Sequence, residues 1–195
     1  MDIYTYQIGN NLYVNLTSRC TNRCTFCVRE GKTEYEGYAL WLSKEPTAAQ
    51  VIAGIGDPKK YNEIVFCGFG EPTHRLDTML EVCEYVHSRG GKTRLNTNGH
   101  GSVINGKNIA PLLKDNLDTV NISLNAPSEK EYEAVCRPQI AGAYGALLDF
   151  AHACRESGVN ALFSVVDCIG KEAVEKCKVL AEEVGLPLRV REMIE

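Results

Sequence analysis

Six short strand-like segments, separated by amphipathic helical patterns, constrain the fold of this chain more than any other feature. The runs VNLT, IVFCG, VNISLN and LFSVV are apolar or β-branched over most of their length, as in strands buried on both faces. Strand–helix–strand alternation predicts right-handed crossovers and a parallel sheet. The predicted strands are 11–17, 63–68, 92–98, 119–125, 161–167 and 188–191.

Three long helices are predicted between these strands from apolar stripes that begin near Leu76, Tyr144 and Val174. Shorter helices are predicted at 47–55, 108–115 and 128–135. The chain has 195 residues, whereas a closed eight-stranded barrel takes about 250. We therefore predict an α/β fold, an open six-stranded parallel (β/α)6 partial TIM-type barrel, with a doubly wound sheet as the alternative. Residues 1–195 are expected to form a single domain, with 28–46 as a loop over the mouth.

Composition indicates a reduced, cytoplasmic location. The net charge is -4 and no block of like charges occurs, so a nucleic-acid partner is not expected. No basic or apolar leader precedes the first strand, and no apolar run approaches the ~20 residues of a membrane helix. Nine cysteines in such a chain favour metal binding over disulfides.

A cluster of three cysteines follows the first predicted strand in the run SRCTNRCTFCVRE. Cys20, Cys24 and Cys27 can bind three irons of a cubane cluster and leave the fourth iron without a protein ligand. A zinc site would need a fourth ligand from far along the chain. An electron-transfer cluster completed by Cys67 or Cys168 is a further alternative.

A glycine-rich turn, GFGEP, follows the second predicted strand. Gly68 and Gly70 allow the backbone to approach a ligand closely, at the strand end where α/β folds place their sites. Ser123 and Asn125 lie on one face of the fourth predicted strand and need polar partners if they are buried. The two residues could bind a ligand, or they could form hydrogen bonds with other polar groups of the core.

The Cys-x3-Cys-aromatic-x-Cys spacing resembles the signature of the radical S-adenosylmethionine (SAM) superfamily. The resemblance implies a 4Fe–4S cluster on the three cysteines, with SAM on the open iron. GFGEP is similar to the family's Gly-Gly-Glu-Pro element, with Phe69 in place of one glycine. The runs NLTSRCTNRCTFC and GFGEPT and the short length resemble the TatD-associated radical SAM proteins.

The same resemblance implies a set of SAM contacts. Phe26 matches the family's aromatic position beside the adenine, and Glu71 belongs to the glycine element. Polar residues on the third to fifth strands are the expected contacts to the rest of SAM. The implied cofactor-binding set is Phe26, Gly68, Gly70, Glu71, Asn96, Thr97, Ser123, Asn125, Ser164 and Val166.

The function implied by the resemblance is reductive SAM cleavage, which yields a 5′-deoxyadenosyl radical that removes hydrogen from a substrate. Flavodoxin or ferredoxin is the expected electron donor, and the substrate is a small molecule, a peptide or a protein. Two alternatives remain at this point. One is an RNA-modifying radical SAM enzyme, and the other is an iron–sulfur electron carrier without enzymatic activity.

Overall fold

The computed structural model describes residues 2–193 and contains a seven-stranded sheet in which the strands lie in sequence order. The first two strands pair antiparallel, and all later pairs are parallel. The strands are β1 (Thr5–Ile8), β2 (Asn11–Val14), β3 (Ile64–Phe66), β4 (Thr93–Thr97), β5 (Thr119–Ser123), β6 (Ala161–Val166) and β7 (Leu188–Arg191).

The six parallel strands confirm the predicted architecture, but β1 corrects the predicted strand count. β1 joins β2 through a tight turn in which Gly9 has φ 57°. A glycine between TYQI and NLYV is a hairpin signal, although a four-residue strand is too short to show a clear period. β1 adds an antiparallel edge strand to the predicted sheet.

The helices lie in the connections between parallel strands. Since consecutive strands are neighbours throughout, the chain winds in one direction, and a doubly wound sheet with its reversal of strand order is excluded. The short helix α3 was not predicted. The helices are α1 (Ala48–Ile55), α2 (Leu76–Ser88), α3 (Gly101–Asn105), α4 (Ala110–Lys114), α5 (Glu129–Cys136), α6 (Ala143–Glu156) and α7 (Lys171–Val184).

The two faces of the sheet differ in chemistry. The outer face packs against the helices through side chains such as Val14, Phe66 and Leu95, which are fully buried in the main core. The inner face, here called the lumen, carries polar side chains that alternate with the apolar ones. The strands are therefore apolar on one face, which differs from the expectation of two apolar faces. Lumen residues include Tyr13, Arg94, Asn96, Thr119, Asn121, Arg189 and Arg191.

The segment 28–46 lies on the lumen side and packs by its own apolar side chains. Leu40 is buried against Tyr6 of β1 and Phe69 of the glycine turn, in a cluster separate from the main core. Trp41 contacts Phe69 edge-on, with 5.2 Å between ring centroids. This packing places the segment beside the glycine turn. Within residues 2–193, no helix combines the length and apolarity needed to cross a membrane.

Candidate functional site

The three cysteines of the loop after β2 line one cavity of about 200 Å³ at the carboxyl ends of the parallel strands. The loop passes through irregular backbone from Ser18 to Cys27, so the thiols are placed by contacts from outside the loop. Four residues of the predicted SAM-contact set line the same cavity. They are Phe26, Ser123, Asn125 and Val166.

Backbone hydrogen bonds join the cysteine loop to the end of α5. The Arg23 amide donates to the Cys136 carbonyl oxygen at 3.0 Å, and the Thr25 amide donates to that of Val135 at 2.8 Å. Cys136 itself is buried and lies beside the Cys24 thiol. These contacts join segments more than a hundred residues apart, which no local pattern in the sequence could indicate.

Arg29 joins the cysteine loop to the glycine turn. Its guanidinium donates to the carbonyl oxygens of Ser18 at 3.1 Å, Asn22 at 3.1 Å and Phe69 at 2.8 Å. One planar fork thus binds three carbonyls that the irregular backbone leaves without helix or sheet partners. Arg29 therefore holds the two loops at a set separation.

A buried chain of hydrogen bonds supports the loop from beneath. The Asn98 side-chain amide donates to Thr21 Oγ1 at 2.8 Å, and Thr21 Oγ1 lies 2.8 Å from His100 Nδ1. His100 Nε2 lies 3.1 Å from the Ala143 carbonyl oxygen, so it must carry the proton and Nδ1 must accept. Burial lowers the pKa of His100 to about 4, which keeps the ring neutral at pH 7.

The three cysteines are half-buried, and this partial shielding from water favours the protonated form of their thiols. Burial raises the pKa of Cys20 to about 12 and also raises that of Cys27. The contact with Cys136, together with burial, raises the pKa of Cys24. Since thiolates are the ligands of iron, binding a cationic cluster must release these protons.

The glycine turn approaches the cysteine loop too closely for a side chain at Gly70. A Cβ there would lie 2.5 Å from the Arg19 carbonyl oxygen and closer still to that of Thr17. The Glu71 amide donates to the Arg19 carbonyl oxygen at 2.7 Å in the same contact. At Gly68 a Cβ would meet the side chain of Asn15. Both positions thus require glycine, Gly70 for packing against the cysteine loop and Gly68 for packing against the end of β2.

The carboxylate of Glu71 is buried and is used within the protein. Its oxygens accept from Thr73 Oγ1 at 2.8 Å, Thr97 Oγ1 at 2.8 Å and the Asn98 amide at 2.7 Å. Burial raises the pKa of Glu71, and these hydrogen bonds partly oppose that rise. Glu71 therefore connects the glycine turn to the end of β4.

The predicted set of SAM contacts divides between several places. Thr97 faces the helices and binds Glu71, so the structure does not bring it to the cavity. Asn96 lies in the lumen, where its side-chain oxygen accepts from Arg94 at 3.1 Å and Asn121 at 3.3 Å. Ser164 is fully buried on β6. Gly68 lines the lumen cavity, and Gly70 and Glu71 hold the loops together.

Several residues of the cysteine-lined cavity were missed by sequence reasoning. Asn98 follows β4 and lies 3.8 Å from the Cys20 sulfur through its amide nitrogen. The sequence did carry a signal for Asn98, because side chains two residues apart on a strand point to the same face and Asn96 was already a predicted contact. Asn22 lies within the cysteine motif and was passed over as a spacer. Val28, Glu192 and Met193 were also missed, whereas the sequence does indicate Arg191, on the last predicted strand, as a residue that could meet an anionic substrate or be solvated.

The donor set fits an iron–sulfur cluster with an exchangeable ligand. Within the described residues 2–193, no three Cys, His, Asp or Glu side chains converge on a single metal ion. A cubane takes one thiolate per iron, so its three ligands stand farther apart than those of one zinc ion. In the same part of the chain, the side-chain oxygens of Asn22 and Asn125 are buried without a hydrogen-bond partner. These oxygens can therefore accept hydrogen bonds from a bound molecule.

A partial barrel with three thiols at its carboxyl edge defines an enzyme class that works through an iron–sulfur cluster and a small cofactor. The family model described as the Radical SAM superfamily matches residues 14–183. The chain therefore belongs to the radical SAM superfamily, whose members use a 4Fe–4S cluster and SAM to generate a 5′-deoxyadenosyl radical.

Curated relatives are longer proteins. A probable RNA methyltransferase of Dechloromonas aromatica is 33% identical over 82 residues, which are 42% of this chain and 22% of that protein. A probable GTP 3′,8-cyclase of Thermococcus kodakarensis is 31% identical over 126 residues, which are 64% of this chain and 38% of that protein. The chain thus spans less than half the length of either relative.

Solved structures share the fold at low sequence identity. Streptococcus suis SuiB bound to the precursor peptide SuiA has a TM-score of 0.69 at 16% identity, over 95% of this chain and 40% of that one. TYW1 with a lysine-pyruvate adduct has a TM-score of 0.66 at 15% identity, over 95% and 65%. These matches support the partial barrel fold.

Proposed function

We propose that Cys20, Cys24 and Cys27 bind the 4Fe–4S cluster and that SAM occupies the adjoining cavity, so that hydrogen is removed from a substrate in the lumen. When bound, the cluster and SAM supply reductive cleavage of the SAM C5′–S bond, with one electron from a donor such as flavodoxin or ferredoxin. The substrate is a small molecule, a peptide or a protein side chain. The observation that carries the proposal is the placement of three thiols around one cavity, together with two amide oxygens that have no hydrogen-bond partner among residues 2–193.

The side chains of the chain itself then have separate tasks. Phe26 and Val166 offer apolar contact to the adenosyl part of SAM, and Ser123 and Asn125 offer polar contact to its ribose and carboxylate. The backbone at Gly68 borders the lumen, whereas Gly70 packs against the cysteine loop and sets its distance from the glycine turn. Glu71 and Arg29 act by holding the loops in position. The segment 28–46 covers the lumen and limits the access of water to the radical.

The proposal is tested by anaerobic reconstitution with iron and sulfide, followed by dithionite and SAM. We expect formation of 5′-deoxyadenosine together with methionine by the wild-type protein. Cys24→Ala should reduce the yield of 5′-deoxyadenosine at least about a hundredfold, because a metal ligand is lost. Chromatography of the quenched reaction measures both products.

The matched control is Cys168→Ala, because Cys168 is an exposed cysteine in the turn after β6. It should retain iron content and 5′-deoxyadenosine formation, which would exclude Cys168 as a fourth ligand. Full activity of Cys24→Ala would refute the ligand assignment. A wild-type protein that takes up a cluster but ignores SAM would support the electron-carrier alternative.

RNA modification is the second candidate, and the similarity to the probable RNA methyltransferase of D. aromatica favours it. An acidic chain with a net charge of -4 is a poor match for nucleic acid. The first candidate remains the TatD-associated type of radical SAM enzyme, supported by the runs NLTSRCTNRCTFC and GFGEPT. RNA binding that weakens steeply between 50 and 200 mM salt, on the order of a thousandfold, would favour RNA modification instead.

A further inference from the structure

The lumen holds a second, larger cavity of about 870 Å³. This volume lies within the range of about 300–1,000 Å³ that is typical of small-molecule sites. The cavity is lined by β1 and β2 on one side and by β7 on the other, and its floor is formed by Asn96, Asn121 and Arg94. It contains none of the three cluster cysteines.

Arg191 connects this cavity to the cysteine-lined one. It stands at the end of β7, opposite Val166 in the register with β6, and its side chain lines both cavities. A group held by Arg191 would therefore lie between the lumen and the expected SAM position. That is where a substrate must present the hydrogen to be removed.

The guanidinium of Arg191 has no partner among residues 2–193. Its Nε is buried without a hydrogen bond, and no carboxylate of that part of the chain pairs with it. Burial lowers the pKa of Arg191, and the charges of Arg189 and Arg94 lower it further. Arg191 is half-buried with its Nε fully enclosed, and a guanidinium placed so in a cavity that holds two others is costly unless an anion accompanies it.

The other charges of the cavity do not supply that anion. Arg94 is committed to Glu63 at 2.9 Å and to Asn96. Glu192 also lines the cavity but forms no ion pair with either arginine of β7 among the described residues, and Arg189 is exposed on that strand. One carboxylate is thus already paired, and the two cationic groups of β7 remain available to a ligand. Asn121 adds a side-chain oxygen with no partner among the described residues.

We propose that the lumen binds the anionic group of a small substrate, a phosphate or a carboxylate, between Arg191 and Arg189. This inference rests on the proposed function, since it names the substrate class for the same site. A planar guanidinium forms paired, charge-assisted hydrogen bonds with either anion. The anion would fix one end of the substrate, so that the adjoining carbon atoms point toward the cysteine-lined cavity.

The test is isothermal titration calorimetry on the cluster-loaded protein with SAM, under anaerobic conditions and at low salt. The probes are inorganic pyrophosphate and succinate, titrated separately. We expect one-to-one binding of at least one probe to the wild-type protein. Preference for pyrophosphate indicates a phosphorylated substrate, and preference for succinate indicates a carboxylate. If neither probe binds, the inference is wrong.

Variants locate the binding. Arg191→Gln should weaken binding about tenfold or more and Arg189→Gln about threefold, as loss of charge-assisted hydrogen bonds predicts. The matched control is Arg89→Gln, an exposed arginine that stacks on Tyr85 at the end of α2, and it should change the affinity less than about twofold. Wild-type affinity in Arg191→Gln would overturn the inference. If that variant fails to fold, unchanged affinity in the exposed Arg189→Gln would overturn it.

The binding assay separates this inference from the proposed function. Anion binding without any 5′-deoxyadenosine from the wild-type protein would leave the anion site standing and would refute the proposed chemistry. Conversely, 5′-deoxyadenosine formation without anion binding would refute the anion site alone.

Discussion

The region beneath the cysteine loop and the lumen beside it differ in how completely their polar groups are partnered. Beneath the loop, His100 has partners at both ring nitrogens and Glu71 accepts from three different residues. In the lumen, Ser164 Oγ, Asn121 Oδ1 and Arg191 Nε are buried without partners among residues 2–193. Buried polar groups normally have hydrogen-bond partners. The first region therefore supports the cysteine loop with its hydrogen bonds already made, whereas polar groups of the second can still bind a ligand.

The largest expected effect comes from breaking the contact between the two loops. Gly70→Ala would press a methyl group against two carbonyl oxygens, so we expect destabilisation of about 3 kcal/mol and loss of cluster uptake. The control is Gly145→Ala in α6, where a Cβ meets no atom within 4 Å, and it should stabilise by about 0.5 kcal/mol. Thermal denaturation and iron analysis measure both. Equal behaviour of the two variants would contradict the close approach.

The support beneath the loop should also respond to pH through His100. Its folded pKa of about 4 lies below the ordinary value of 6.5, so the unfolded chain takes up a proton first as the pH falls. Stability is complete above about pH 6.5 and declines toward pH 4, by about 2 kcal/mol between pH 7 and 5.

The His100 contribution is isolated by comparing the pH dependence of thermal unfolding in the wild type and in His100→Gln. The variant should show a shallower decline in acid. His152→Gln, at an exposed position of α6, should decline as the wild type does. A wild-type slope in His100→Gln would show that the ring is not held neutral.

A smaller loss of stability is expected when the hydrogen bond between β4 and the glycine turn is removed. Thr97→Val keeps the shape of the side chain but removes a donor from the buried Glu71 carboxylate, which should cost about 1–2 kcal/mol. Because Thr97 faces the helices, the affinity for SAM should stay unchanged when the cluster is in place. Anaerobic denaturation and equilibrium dialysis with SAM provide the two measurements. A selective loss of SAM affinity would restore Thr97 as a cofactor contact.

The smallest effect on stability is expected in the lumen. Ser164→Ala removes a hydroxyl that has no partner in residues 2–193, so stability should change by less than about 0.5 kcal/mol. If Ser164 binds SAM as the family resemblance implies, the variant should instead weaken SAM affinity several-fold. The same two assays on Thr97→Val sharpen the contrast. Thr97→Val should lower stability and leave SAM affinity unchanged, whereas Ser164→Ala should lower SAM affinity and leave stability unchanged. A Ser164→Ala variant that loses stability would place Ser164 in the support.

Much of the architecture followed from local patterns. The apolar runs and helical stripes located the six parallel strands, because strand and helix periods depend on nearby residues. The exact ends of the strands and the β1 hairpin escaped because short segments carry too few periods to read. The polar lumen was also missed, since a half-polar strand rich in β-branched residues resembles a fully buried one.

The sequence by itself determined the chemistry of the site, because Cys20, Cys24 and Cys27 are local in the chain and their spacing is legible without a fold. Tertiary structure alone decided which polar residues face the cofactor cavity and which support it. Asn96 and Thr97 are neighbours in sequence, yet they lie on opposite faces of β4. Arg191 reaches both cavities only because the sheet curves and brings β7 near β2. Such positions depend on contacts between distant segments, and those contacts form only when the whole sheet has curved around the lumen.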